Sequence, residues 1–200
     1  MLYYPEDVTD ARRALGRLWP SLRPGLWHST RPARFCAILA DGEIRPDGGQ
    51  NGNVYRGSYA ASIEAVSLFD FEKASEDDAL GTYRNWASHL CVQETPVTVW
   101  IGLHRDRLPG RLILADEVGK LAVGKLWCPR IEACHVGPIP ADAFTAVLAV
   151  STAKPHQFET LASGAAAPPR LRELAEQWPN PESPLVRRLH AGRDRNARRE

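Results

Sequence analysis

Apolar and polar positions alternate along this chain at two different periods, and the change of period marks its elements. Residues 97–103 (VTVWIGL) give the clearest strand pattern, with Val97, Val99, Ile101 and Leu103 on one face. Residues 65–71 (AVSLFDF) also alternate, with Val66, Leu68 and Asp70 on one face and Ser67, Phe69 and Phe71 on the other. Residues 130–136 and 144–151 read as two more strands. They are joined through Gly137-Pro138-Ile139-Pro140, whose prolines bar the link from a central strand. A short strand is expected at 25–28. Helical spacing predicts a first helix over 9–18, ended by Pro20. A second carries Phe35, Ile38 and Leu39 on one face, with Thr30 as N-cap, Pro32 in the first turn and Asp41-Gly42 as its close. A Gly/Asn/Asp-rich loop follows over 46–53. A third helix opens on Ser75 and Asp78, a variant of the capping box, and repeats Leu80, Tyr83, Ala87 and Leu90. Strands mixed with a few helices, without a βαβ rhythm, predict an α+β fold.

The pattern changes after about residue 160. Residues 163–169 are rich in Ala, Gly and Pro, and Leu171, Leu174, Ala175 and Trp178 then outline a short amphipathic helix. Six arginines (Arg187, Arg188, Arg193, Arg195, Arg198 and Arg199) fall in the last fourteen residues. This divides the chain into a domain over 1–160 and an appendage over 161–200. The tail reads either as a solvated end or as an arm that contacts phosphates.

Composition narrows the class. The 200 residues carry 25 basic and 24 acidic side chains, a net charge of +1, which argues against coating nucleic acid by charge alone. A 44% hydrophobic content suits a domain that buries a core without metal or disulfide staples. No apolar run approaches the length that spans a bilayer, and the acidic start lacks the layout of a secretory leader. Cys36, Cys91, Cys128 and Cys134 are too sparse for a disulfide scaffold and read as reduced thiols, so a cytoplasmic chain without a membrane partner is expected.

Walker A, GxGxxG, GxSxG and HExxH patterns are all absent from the sequence. Cys128, Cys134 and His135 lack the spacing of a zinc knuckle, so no metal site is expected. Two features carry more. His28-Ser29-Thr30 lies where a strand hands over to a helix N-terminus, whose N–H groups can meet an amide or phosphate oxygen. Glu132 is an acid inside the strand-like run Ile131-Glu132-Ala133-Cys134. Taken alone, each is more often structural: His28 a hydrogen-bonded histidine, Glu132 an outward-facing charge.

Their order along the chain resembles that of the ADP-ribosyltransferase fold, and specifically of DarT-type toxins that modify DNA. His28-Ser29-Thr30 occupies the place of that family's H-x-T strand, followed by Phe35, Ile38-Leu39 and Gly42. Residues 66–71 resemble its VPFYF strand, and residues 97–103 fill the slot of its IVYLEVD strand. Residues 130–144 (RIEACHVGPIPADAF) resemble its acidic strand and proline bend. The resemblance covers about residues 26–150. It departs at Arg34, where the family places asparagine, and at the shortened stretch Arg56-Gly57-Ser58-Tyr59. The family's middle tyrosine has Tyr59 and Tyr55 as candidates.

The resemblance implies a split, mixed or antiparallel sheet with flanking helices. It also implies an NAD-dependent transfer of ADP-ribose that needs no metal. Glu132 would be catalytic, stabilising a cation-like sugar as glycosidase carboxylates do. His28 would orient the dinucleotide through a ribose hydroxyl, with Ser29 or Thr30 beside the carboxamide. Tyr59 would stack on nicotinamide, while Ser67 and Phe69 would line the cleft. The acceptor, nucleic acid or another molecule, stays open, as does an antitoxin or immunity partner. The alternatives are a non-catalytic interaction protein on the same fold and an RNA 2′-phosphotransferase-like enzyme.

Overall fold

The computed structural model describes residues 8–23, 25–46, 57–82, 95–154, 156–162, 164 and 166–178. In chain order the elements are α1 (Val8–Leu22), β1 (Leu26–Thr30), α2 (Pro32–Asp41), β2 (Glu43–Ile44), α3 (Tyr59–Ser62), β3 (Ala65–Asp70) and α4 (Glu76–Gly81). They continue with β4 (Val97–Leu103), β5 (Leu112–Ile113), α5 (Ala115–Leu121), β6 (Glu132–Val136), β7 (Ile139–Pro140), β8 (Phe144–Ser151), β9 (Phe158–Leu161) and α6 (Ala167–Gln177). Seven strands form one sheet in the order β5-β6-β3-β1-β4-β8-β9, and every neighbouring pair is antiparallel. The short β2 and β7 pair with each other outside it, which is where the prolines of the 137–140 link are tolerated. The class is α+β, as the mixed pattern predicts.

Both faces of the sheet are covered, so the central strands are apolar on both sides. One row of β4 (Val97, Val99, Ile101, Leu103) packs with Leu26, Leu68, Ala133 and Val147 under Phe35 and Ile38 of α2 and Leu171 and Leu174 of α6. On the other face Trp27, Phe69, Trp100 and Leu148 meet Leu15, Leu18, Trp19 and Leu22 of α1. A third cluster joins Tyr59, Ala60, Ala65, Ile113, Val118 and Cys134 beneath α3 and α5. Each large side chain buried this way contributes roughly 1.5–3 kcal/mol.

Several expectations are corrected. The first helix runs through Pro20 to Leu22, because Leu15, Leu18, Trp19 and Leu22 form one buried stripe that holds the last turn despite its missing N–H. The strand expected at 25–28 extends to Thr30, and Thr30 is not the N-cap. Arg31 occupies that position, with extended backbone and no side-chain cap, ahead of Pro32. The α6 helix, which composition assigns to the appendage, belongs to the main core through Ala167, Leu171, Leu174 and Trp178. Elsewhere the local chemistry is as read. Gly42 closes α2 at φ +75°, and Ser75 with Asp78 forms a reciprocal capping box on α4. The loop over 47–53, the helical repeat from Tyr83 to Leu90, Cys91 and the arginine tail lie outside the described residues. No helix among the described residues is long and apolar enough to cross a membrane.

Candidate active site

Strand β1 pairs with β4 along its whole length, from Leu26↔Leu103 to Thr30↔Val99. Against β3 it pairs at two positions, Leu26↔Asp70 and Trp27↔Phe69. Beyond them β3 continues with β6, from Phe69↔Glu132 to Ala65↔Val136. The sheet therefore divides at His28. The residues of β1 and β3 that are neither buried nor fully exposed are His28, Ser29 and Ser67, and all three lie along this division.

The His28 ring replaces the missing ladder contact. Its Nδ1–H donates to the Ser67 carbonyl at 3.1 Å. Burial of the ring drives the imidazole pKa down to about 4, against a smaller upward effect of the Ser67 bond and a further lowering by Arg34. The ring is thus neutral near pH 7. With Nδ1 donating, Nε2 carries the lone pair, ready to accept from a hydroxyl. Arg34, where the resemblance departs from its family, therefore acts electrostatically on the same histidine.

Ser67 also reaches the acid. Its hydroxyl donates to Glu132 Oε1 at 2.8 Å, and the Cys128 N–H donates to Glu132 Oε2 at 2.5 Å. Glu132 is 4% exposed. Burial raises its pKa above the usual carboxylate range, and the bonds from Cys128 and Ser67 oppose that rise. Strand alternation starts His28 and Glu132 on opposite faces, since His28 stands opposite Ile101 while Glu132 stands opposite Phe69. Ser67 links them, through its carbonyl on one side and its hydroxyl on the other.

The other expected site residues fall into two groups. Ser29 and Thr30 are next to His28 but belong to β1, opposite Trp100 and Val99. The helix start expected there lies at Pro32, which has no N–H of its own, and the Phe35 N–H is taken by the Arg31 carbonyl at 2.9 Å. Phe69 is 2% exposed and packs with its ring centroid 5.1 Å from Trp100 and 6.0 Å from Phe71, so it is a core residue and not a cleft wall. Tyr59 is 7% exposed in the third cluster, where burial raises its phenol pKa. Its N–H is held by the Leu126 carbonyl at 2.9 Å. Tyr55, the other tyrosine candidate, and Arg56 lie outside the described residues.

Two participants were not read from the pattern. The Cys128 amide has no sequence signature, since a backbone N–H is present at almost every residue. Arg130 takes φ +66°, a conformation its residue type does not announce. The thiols of Cys128 and Cys134 are buried beside Glu132, and burial pushes both pKa values up, that of Cys134 to about 12. Among the described residues no group of three or more His, Cys, Asp or Glu is placed to hold a metal ion.

A cleft of about 560 Å³ opens elsewhere, at the other end of β1, lined by Trp27, Gly102, His104, Arg105 and Thr145 among others. It contains neither His28 nor Glu132. No protein-family model, curated protein or solved structure matches this chain.

Proposed function

We propose that this protein is an NAD-dependent ADP-ribosyltransferase-like enzyme acting on a macromolecular acceptor, with nucleic acid as the class to test first. One observation carries the reading: a neutral histidine and a buried glutamate meet the same serine at the point where the sheet divides. The chemistry is displacement at the nicotinamide ribose. The bond from C1′ to the nicotinamide nitrogen breaks, its electron pair leaves with nicotinamide, and an acceptor lone pair forms the new bond to C1′. The acceptor's proton passes to a base or to water. Ionised Glu132 stabilises the cation-like sugar, and Nε2 of His28 accepts from a ribose hydroxyl. Ser67 holds the two elements in register.

Incubation with labelled NAD, with and without DNA, RNA or protein, tests the reading. Release of nicotinamide with label on one acceptor class supports it. Deletion of residues 185–200 then tests the tail. A flatter salt dependence of nucleic-acid binding marks the arginines as a phosphate-contacting arm, and equal slopes mark a solvated end.

A second reading, a non-catalytic interaction protein on this scaffold, has its own observation. Glu132 is almost fully buried, and both its oxygens are already occupied. Unchanged NAD in every mixture, with no binding by calorimetry, decides for it.

A further inference from the structure

Residues 128–132 form a turn closed twice on the same pair of residues. The Glu132 N–H donates to the Cys128 carbonyl at 3.0 Å, and the Cys128 N–H donates to Glu132 Oε2 at 2.5 Å. Both shoulders are anchored. Cys128 and Ile131 are buried in the cluster beneath α1, and the Ile131 carbonyl accepts from the Asp70 N–H at 2.7 Å. The corner between them is Arg130, at φ +66°. This is the left-handed region, which strains a side chain that glycine lacks. Arg130 is otherwise at the surface, and its Nη1 meets Asp78 Oδ1 at 3.0 Å. Asp78 is itself tied to the start of α4, where its N–H and carboxylate complete the capping box with Ser75.

We infer that Arg130 is a positioning residue for Glu132: its left-handed backbone, steadied by Asp78, aims the Cys128 amide at the carboxyl. The role lies in the backbone of Arg130 and not in its charge. It rests on the proposed function only for its consequence on rate. The titratable groups around the carboxyl are the Cys128 thiol from the turn and the Cys134 thiol from β6, with the Tyr59 phenol beside Cys134. The Ser67 hydroxyl completes the surroundings from β3. Both thiols stay protonated near neutral pH, so the Cys128 amide and the Ser67 hydroxyl are the groups that favour an ionised Glu132.

Substituting the corner separates backbone from side chain. In the full chain, Arg130→Gly keeps the left-handed corner and removes the guanidinium, whereas Arg130→Val keeps neither. The readout is the carboxyl titration of Glu132, followed by carbon NMR of labelled glutamate and assigned by the signal lost in Glu132→Gln. We expect Arg130→Gly to titrate as the parent does, and Arg130→Val to titrate about one pH unit higher as the amide bond is lost. Asp78→Asn should move in the same direction by less. Should Arg130→Val fail to fold, Arg130→Ala gives the same ordering against glycine. Equal shifts in the glycine variant and the valine or alanine variant would overturn the inference by assigning the effect to the guanidinium, and so would no shift in any of them. The titration needs no turnover. A parent protein that leaves NAD intact therefore removes the functional reading alone, while an unmoved titration removes this inference alone.

Discussion

Strands β4 and β8 pair from Val97↔Ser151 to Leu103↔Phe144, and every residue of β4 is buried. Strands β1 and β3, one position away in the same sheet, share two pairs and then part. The contrast is one of how backbone polar groups are satisfied. In the β4–β8 half the ladder does it, which leaves the side chains free to be apolar. At the division the ladder stops and the His28 ring serves the Ser67 carbonyl, while in the turn that leads into β6 the Glu132 carboxyl serves the Cys128 amide. A buried polar group left unmet costs about 1–3 kcal/mol, so the division is stable only because those side chains are polar. The half that stabilises the protein and the half that carries candidate chemistry thus need opposite residue types.

Substitutions can break this contrast, and the largest effect belongs to the paired half. Leu148 is 1% exposed in the cluster under α1. Leu148→Ala should cost about 3–4 kcal/mol of stability by denaturant unfolding while leaving the His28–Ser67–Glu132 contacts in place. At the division the ordering reverses. On the proposed function, Glu132→Gln should lower ADP-ribosyl transfer at least about a hundredfold in a protein that still folds by circular dichroism. Its stability is set by two opposed effects: a buried charge is removed, while the amide has one acceptor oxygen for the two donors, Ser67 and Cys128. Near-normal turnover in that variant would end the assignment of Glu132. On the same proposed function, burial of Glu132 should raise the acid limb of the rate profile above that of an ordinary glutamate, and a limb at or below it would count against Glu132.

A third test sharpens the contrast through pH. The His28 pKa falls from 6.5 to about 4 on folding, so between those values the unfolded chain binds the extra proton. Stability is therefore full above about pH 6.5 and declines as pH falls toward 4. The shift is worth about 3 kcal/mol at most, and partial solvent access at His28 brings the expected loss to about 2 kcal/mol. Denaturant unfolding across this range should show that slope in the parent and a flatter one in His28→Gln. Equal slopes would mean that His28 titrates normally.

The smallest effect is again in the paired half. A Cβ on Gly102 would lie 2.8 Å from Thr145 Oγ1 and 3.2 Å from the Trp27 ring. Gly102→Ala should therefore cost about 1–2 kcal/mol, read as a lower midpoint in denaturant, and on the proposed function it should leave NAD turnover unchanged per folded molecule.

Much of the fold was legible because it is written in local periods. The alternation of Val97, Val99, Ile101 and Leu103, the Ser75–Asp78 capping box and the glycine after Asp41 each act within a few residues, and each holds in the structure. The two-residue strands β2 and β5 and the short α3 are too brief to have a period, and β9 was likewise not read. They exist because a neighbour pairs with them or covers them. The helix through Pro20 and the docking of α6 were decided by buried stripes that outweigh a missing N–H and a linker-like composition. At the candidate site, His28 and Glu132 were singled out by a motif order that resembles the ADP-ribosyltransferase fold, since a histidine at the end of an apolar strand and an acid inside another are, taken alone, more often structural. Only the tertiary structure decided that Ser67 joins them, that Phe69 faces the core, and that Arg130 turns the chain so a backbone amide meets the acid. Those facts depend on where β1 and β3 part, and register between strands far apart in sequence is set by the packing of the whole sheet.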